Sequence, residues 1–398
     1  MEAAQYDLIV VGGGPAGSAC AITAARLGAK VLLLEKDRFP RQKVCGEFVS
    51  PESLGLLRGL LSNGLVKHDW FSSAPQVLSS RIFLDNKSLT LPVSPAAQSI
   101  PRFDLDPALF EAARNNGATS LEDVAVSEVR RNDLFHVVAA EKTYTARAVI
   151  NATGRWSKLT QFDVAGKDKW LGLKAHFTES APPQSVDLYF FPGGYCGVTP
   201  VSARSINACA MVRSDVAHTL EEVFAKEPHL WERSRAWQPL FGTVTTSPLY
   251  FREPETECDG MLLAGDAAGF IDPFAGDGIS LALQSGTLAA ESIVPFLRGS
   301  CSVEQAQRQY QAAYRKRFTP AFRNAARLRA ALAAPKWVRS AAWAFAAVPG
   351  VGKMLVRGTQ TGRVAECRTE SLPVSSLVLP LRLLHGTAST KKRNDGFR

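Results

Sequence analysis

The amino-acid sequence predicts an α/β protein: a parallel sheet wound with helices, interrupted by an inserted antiparallel sheet and followed by a helical C-terminal extension. Three observations carry that prediction. Residues 6–36 read as strand, Gly-rich turn, helix and strand. A second Gly-rich turn, Gly265-Asp266-Ala267-Ala268-Gly269, follows another apolar run more than two hundred residues later. Between them, from Trp170 to Val212, strand-like runs are broken by Pro182-Pro183 and Pro192-Gly193-Gly194, the pattern of an antiparallel sheet with loops.

The elements follow in order. Tyr6 to Val11, apolar but for Asp7, suits a buried strand of a parallel sheet, and Val31 to Leu34 is its expected partner. Pro15 to Leu27 is small and apolar, fitting a helix pressed closely on the sheet. Asp104 to Asn115 is expected to be a helix capped by Asp104, with Pro107 near its first turn. His136 to Ala140 and Thr143 to Ile150 read as strands leading into Asn151-Ala152-Thr153-Gly154. Val186 to Phe191 and Ile206 to Val212 are strands of the insertion. The αβ pattern returns at Met261 to Ala264, with a helix from Ile279 to Phe296. Residues 303–345 read as an Ala- and Arg-rich helix, and the chain becomes irregular from about residue 371. This divides the chain into a discontinuous nucleotide-binding domain (1–75, 101–165 and 254–300), an inserted domain (76–100 and 166–253), a helical region (301–370) and an irregular basic tail (371–398).

A chain of 398 residues buries a large core, and 46% hydrophobic with 21% charged residues is ordinary for a soluble enzyme. The most apolar stretch, Val338 to Val356, is interrupted by Arg339, Pro349 and Lys353, so no membrane span is expected. No basic region precedes an apolar stretch at the N-terminus, so no signal peptide is expected. The seven cysteines (20, 45, 196, 209, 258, 301 and 367) form no CxxC pair, which points to neither a metal site nor a disulfide framework, and fits a reducing cytoplasm. The net charge of +9 is concentrated beyond Arg315, ending in Lys391-Lys392-Arg393. A solvated tail and contact with an acidic membrane surface or a carrier protein are both open readings. No nucleic-acid recognition module accompanies the charge.

The first motif is Gly12-Gly13-Gly14-Pro15-Ala16-Gly17. Gly12 permits a tight turn, Gly14 lets the backbone approach a pyrophosphate, and Gly17 allows close helix–strand contact. The helix opened by Pro15 and Ala16 turns its free N–H groups and positive dipole toward the phosphates. Glu35, eighteen residues after Gly17, ends the second strand and is placed to accept from a ribose hydroxyl. Strand, turn, helix and acid together give a Rossmann-like dinucleotide site. Gly350-Val351-Gly352-Lys353 has no strand before it and no acid after it, so only one such site is present.

The second motif runs from Leu263-Ala264-Gly265-Asp266-Ala267-Ala268-Gly269 to Asp272-Pro273-Phe274-Ala275-Gly276-Asp277-Gly278-Ile279. It resembles the Gly-Asp motif of flavoproteins related to aromatic hydroxylases, geranylgeranyl reductases and flavin-dependent halogenases. The resemblance spans residues 5 to roughly 300. It implies FAD as cofactor, with Asp266, after Gly265, on the ribityl chain. It also implies that the turn from Pro273 through Gly276, Gly278 and Ile279 offers backbone N–H groups to a reduced flavin. It puts Lys36, Arg41, Gly46 and Gly154 at the cofactor as well. Thr153 stands where related hydroxylases carry Asp. Arg102 resembles a family arginine near the cofactor, with a surface ion pair as the other reading.

The segment Arg41-Gln42-Lys43-Val44-Cys45-Gly46-Glu47 resembles a Cys-Gly segment that lies beside the flavin in geranylgeranyl reductases. Cys45 then reads as a proton donor or polar gate, or else as a small buried hydrophobe. The halogenase signature Trp-x-Trp-x-Ile-Pro is absent, and the reductase signature Tyr-x-Trp-x-Phe-Pro appears as Tyr195-Cys196-Gly197-Val198-Thr199-Pro200, with both bulky aromatics replaced. The expected activity is reduction or dehydrogenation of a carbon–carbon bond in a hydrophobic, lipid-like or polyketide-like small molecule, with Cys45 or Tyr195 handling the proton. The alternatives are a monooxygenase working through a flavin hydroperoxide, a halogenase, and a flavin-binding protein without turnover. Electrons would come from NAD(P)H docking transiently or from a partner reductase.

Overall fold

A computed structural model describes residues 5–62, 69–155, 159, 169–337 and 339. All of these lie within a compact unit spanning Met1–Val364. Trp156 and Ser157, most of the Val338 to Val356 stretch and the basic tail from 371 lie outside the described residues.

The chain opens with β1 (Tyr6–Val11), α1 (Pro15–Arg26), β2 (Val31–Leu34), β3 (Phe48–Val49), α2 (Pro51–Leu61) and α3 (Asp69–Ser73). A long hairpin follows, β4 (Gln76–Leu84) and β5 (Lys87–Ser99), then α4 (Arg102–Asn115) and β6 (Thr119–Leu121). The ribbon β7 (Val126–Arg131) and β8 (Phe135–Ala139) leads into β9 (Lys142–Asn151). The run of strands β10 (Trp170–Thr178), β11 (Ser185–Phe191), β12 (Gly194–Ser202) and β13 (Ser205–Arg213) is followed by two short helices, α5 (Leu220–Phe224) and α6 (Pro228–Ser234). The described chain then passes through β14 (Val244–Leu249), β15 (Glu257–Cys258) and β16 (Met261–Leu263) to α7 (Gly278–Leu297) and α8 (Val303–Leu332).

Two eight-stranded sheets result. The first has the order β15-β16-β9-β1-β2-β6, with β8 beside β9 and β7 beside β8. Its centre is parallel: β1 pairs with β2 (Leu8 opposite Val31) and with β9 (Val11 opposite Asn151). Successive residues of β1 face opposite ways, as strand geometry requires. Leu8 and Val10 pack under α1, α4 and α7, while Ile9 and Val11 join Phe135 and Val137 of the ribbon. Both faces are covered from Leu8 on, which is why Leu8–Val11 is uniformly apolar. The second sheet runs β14-β10-β13-β12-β11-β4-β5-β3 and is antiparallel except where β11 pairs with β4. Phe48–Val49 belongs to this second sheet, pairing with Ser99 and Gln98.

Two helices depart from the sequence reading. The fourth begins at Arg102 rather than at an Asp104 cap, because Pro101 already supplies the first acceptor, its carbonyl taking the Leu105 N–H at 2.9 Å. Asp104 is therefore in the first turn, where its charge suits the helix dipole, and Pro107 lies inside the helix. The last helix carries a capping box on Ser302 and Gln305, spans Pro320 without breaking, and ends at Leu332 instead of 345. Pro335 follows three residues on, and proline disfavours helix in the residue before it.

Helices α1 and α7 approach each other closely. A Cβ built on Gly286 would sit 2.0 Å from the Ala16 carbonyl oxygen.

Candidate functional site

A single cavity of about 1080 Å³ opens between the first sheet, the second sheet and the end of α8. On the first-sheet side its wall is the β1–α1 turn. Gly12 has φ +105°, and a Cβ there would lie 2.4 Å from the Ala152 carbonyl oxygen, so only glycine makes this turn. Gly17 is not on the wall. A Cβ there would meet the Gly12 oxygen at 1.8 Å, so its bareness lets α1 start tightly against the turn. Gly14 is the opposite case: a Cβ would face open space, with only Arg102 Nη2 within 4 Å, at 3.8 Å. Its backbone, with Pro15 and Ala16, borders the cavity.

Glu35 and Lys36, at the end of β2, continue the wall. The Glu35 carboxylate is buried; Oε2 accepts the Gly13 N–H at 2.7 Å and lies 3.2 Å from Arg41 Nη2, while Oε1 accepts the Asp37 N–H at 3.1 Å. It braces the glycine turn as well as facing the cavity. Arg41 and Arg102 share the fully buried Asp106, with Arg41 Nη1 donating at 2.7 Å and Arg102 Nε and Nη2 at 2.5 and 2.8 Å. The Arg102 ion pair is therefore buried in the cavity wall, not on the surface. Burial works against its charge, but Asp106 and the neighbouring Cys45 thiol hold its pKa above the usual value. Asp106 escaped the sequence reading; its i,i+4 spacing from Arg102 on one helix was the available signal.

From the far end of the chain come Gly265 and Asp266, then Pro273, Gly276, Gly278 and Ile279, with Gly154 from the end of β9. Burial pushes the Asp266 carboxyl up, and Arg155 and Arg102 pull it back down. Arg155 Nε lies 3.8 Å from Asp266 Oδ2, and its guanidinium covers Phe270 at 4.2 Å. Thr153 donates its hydroxyl to Asn151 Oδ1 at 2.7 Å. The structure thus brings every site residue expected from the sequence, except Gly17, to one cavity, although they come from segments that lie more than two hundred residues apart.

Cys45 and Gly46 also line the cavity, and so does Tyr195 on β12. The Cys45 sulfur accepts the Glu47 N–H at 3.3 Å. Tyr195 packs edge-on against Phe274, ring centres 5.8 Å apart, and burial raises its phenol far above the ordinary value. Beyond them the lining turns aliphatic: Ile82 and Leu84 of β4, Leu89 and Leu91 of β5, and Val186 and Leu188 of β11. Leu328, Ala331 and Leu332 at the end of α8, with Arg339, complete the wall. Arg339 is pinned by both oxygens of Asp85.

Among the described residues, no helix is long and apolar enough to cross a membrane, and no cluster of three His, Cys, Asp or Glu is placed to hold a metal.

The family model described as FAD dependent oxidoreductase matches residues 7–157. A digeranylgeranylglycerophospholipid reductase of Thermoplasma acidophilum is 27% identical over 343 residues, covering 79% of this chain and 84% of the relative. The 1H-pyrrole-2-carbonyl-[peptidyl-carrier protein] brominase of Pseudoalteromonas luteoviolacea is 23% identical over 331 residues, 75% of this chain and 80% of the relative. The crystallised flavin-dependent brominase Bmp2 shares the fold, with TM-score 0.75 and 21% identity over 92% of this chain and 95% of that one. Glycine turn, distant Gly-Asp turn, two-sheet architecture and these likenesses agree: the chain is an FAD-dependent oxidoreductase, similar in sequence to geranylgeranyl reductases and in fold to flavin-dependent halogenases.

Proposed function

We propose that FAD lies along the first-sheet wall and that the enzyme reduces or dehydrogenates a carbon–carbon bond in a hydrophobic small molecule. The observation that carries this reading is the continuity of one cavity. Its wall carries the glycine turn and Asp266, a thiol and a phenol, and the aliphatic side chains of β4, β5 and β11 together.

The residues fit the cofactor. The open space beside Gly14 admits a pyrophosphate against bare backbone, and the N-terminus of α1 and Arg41 and Arg102 supply the positive field. Glu35 and Asp266 are the acceptors for sugar and ribityl hydroxyls. The turn at Gly276 and Gly278 brings the start of α7, with its positive dipole end, to the same wall. Bound there, FAD supplies hydride transfer to or from a substrate carbon. The chain's own task is to hold the substrate dry and to handle the accompanying proton. Ile82, Leu84, Leu89, Leu91 and Leu188 bind apolar substrate surface and exclude water. Cys45 Sγ and Tyr195 Oη are the proton-bearing groups assigned to that task. In reduction, one of them gives its proton to the carbon next to the one that receives hydride; in dehydrogenation the direction reverses. Burial raises the Tyr195 phenol well above its ordinary value, so it stays protonated but is the more reluctant donor.

Reducing equivalents come from NAD(P)H docking transiently or from a partner reductase, since the sequence holds one dinucleotide motif. Delivery of the substrate on a carrier protein is a second reading. It is favoured by the apolar mouth at Leu328 and Leu332, with Arg339 in its wall and the exposed Lys336 and Trp337 next to it in sequence. The brominase relative is named for such a carrier-bound substrate. A screen of hydrophobic alkenes on the anaerobically reduced protein tests the main reading. Reoxidation that needs substrate and no oxygen supports it. Product formed only when oxygen is admitted overturns it in favour of a monooxygenase or halogenase.

A further inference from the structure

The second sheet turns a polar face toward residues 42–47, and that face is buried. Leu173, Ala175 and Phe177 of β10, and Ile206, Ala208 and Ala210 of β13, pack into the apolar core behind the sheet. The alternate residues point the other way. Lys174, Asn207 and Thr199 are at most 2% exposed and His176 is 9% exposed. They are neighbours across the strands, His176 opposite Asn207 and Asn207 opposite Thr199. An alternating strand of a sandwich has no need of polar residues on a buried face.

Each of these side chains grips the same short segment. Lys174 Nζ donates to Gln42 Oε1 at 2.9 Å and to Glu47 Oε1. His176 Nε2 meets Glu47 Oε2 at 2.8 Å. Asn207 Nδ2 donates to the Cys45 carbonyl at 2.9 Å, and the Thr199 hydroxyl to the Gly46 carbonyl at 3.0 Å. The Arg102 backbone N–H adds a further bond to Glu47 Oε1 at 3.0 Å. Glu47 is wholly buried and holds φ +58°, a left-handed backbone rarely adopted by a residue of its type. Burial disfavours its charge, yet His176 and Lys174 together keep the carboxyl below its ordinary pKa. A buried ion cluster is weak support for stability, and strain of this kind collects at functional sites.

We propose that Glu47, Lys174 and His176 are positioning residues: a charge-balanced clamp that fixes the Cys45-Gly46-Glu47 turn so that the Cys45 thiol is presented to the cavity. The proposal rests on the reading of that cavity as the reaction site. The titratable and charged groups around the thiol are Arg102 from α4, Lys174 and His176 from β10, Cys209 from β13, and Glu47 on its own segment.

The test uses the FAD-loaded full chain and measures the iodoacetamide alkylation rate of Cys45 by peptide mass spectrometry. Cys258 and Cys301, both half-buried and remote in sequence, serve as internal controls. Lys174→Met and Glu47→Gln each remove one charge from the buried cluster and upset its balance. Each is expected to change the Cys45 rate by about tenfold or more while the control rates stay put. The double variant Glu47→Gln/Lys174→Met removes both charges and returns the rate to within roughly threefold of the parent. Single variants that retain FAD and label Cys45 at the parental rate overturn the proposal. A double variant as altered as the singles also overturns it. Should Glu47→Gln fail to fold, His176→Gln at the partly exposed end of the cluster carries the same comparison, with the same shift expected and the parental rate again overturning it. Because labelling needs no turnover, it separates failure of the clamp from failure of the reductive reading, which Cys45→Ala kinetics decide.

Discussion

Replacing Gly286 with alanine is a test in which two effects of known size oppose each other. Inside a helix, alanine is favoured over glycine by about 1 kcal/mol, so on propensity alone the change is stabilising. The geometry reverses this. The new Cβ would sit 2.0 Å from the Ala16 carbonyl oxygen and 2.8 Å from its carbon, both backbone atoms that no rotamer change can move. Helices α1 and α7 must therefore separate by more than an ångström, and overpacking of this kind costs about 1–3 kcal/mol. The expected net result is a loss of up to about 2 kcal/mol in urea unfolding of the apoprotein. FAD affinity, read from quenching of flavin fluorescence, should fall with it, because α1 carries the glycine turn. Gly55→Ala and Gly59→Ala are the matched controls: both sit on exposed faces of α2 with nothing within 4 Å, and both should gain stability. If Gly286→Ala gained stability as they do, the close approach of α1 and α7 would be wrong.

Further predictions concern the cavity and its supports. Gly14→Val adds bulk only to open space, so the apoprotein should keep its stability while FAD retention, read from absorbance after gel filtration, is lost. Asp266→Ala should likewise release FAD from a folded chain; full occupancy would remove Asp266 from the site. Asp272 is buried with Oδ1 unpartnered and Oδ2 3.1 Å from Arg329 Nη1, and burial raises its carboxyl from 3.8 to about 7. A folded pKa above the unfolded one means that its contribution is fully present below about pH 4 and is lost as pH rises through 7. The ceiling is roughly 4 kcal/mol, about three units at 1.4 kcal/mol each. Asp272→Asn should flatten the pH dependence of unfolding between pH 4 and 7, and an unchanged slope would refute the assignment. Cys45→Ala should hold FAD normally yet lose turnover, whereas a packing role predicts a small loss of stability with activity intact.

The parallel core was legible because its signals are local. Leu8 to Val11 is apolar throughout, the glycine turn follows immediately, and Glu35 stands at a fixed distance. The Gly-Asp turn was legible for the same reason. What escaped depends on contacts across the fold. Gly286 looks like one more small residue in α7, and nothing near it in sequence announces Ala16. Lys174 and His176 alternate with apolar residues and read as the solvent face of a strand; only the approach of residues 42–47 makes that face interior. The start of α4 was misplaced because Asp104 satisfies the rule for a cap, while Pro101 and the Glu47 carboxylate, a residue more than fifty positions away, decide where the helix begins.

The interleaving of the first sheet has a consequence for the order in which the protein can be assembled. Its central strand lies between β2, close by in sequence, and β9, about 140 residues later, and β9 in turn waits for β16. A nascent chain that has displayed the glycine turn still lacks one side of the site until Gly265 and Asp266 emerge, and α1 lacks its tightest neighbour until Gly286 does. Closing such distant pairings is slow, because the loop entropy is lost before the contacts form. The apolar underside of α1 is then exposed in partial chains, and polypeptides ending before about residue 290 should be captured by chaperones or degraded instead of accumulating as flavin-free fragments. Full-length protein escapes that fate at the moment its two glycine-rich turns meet.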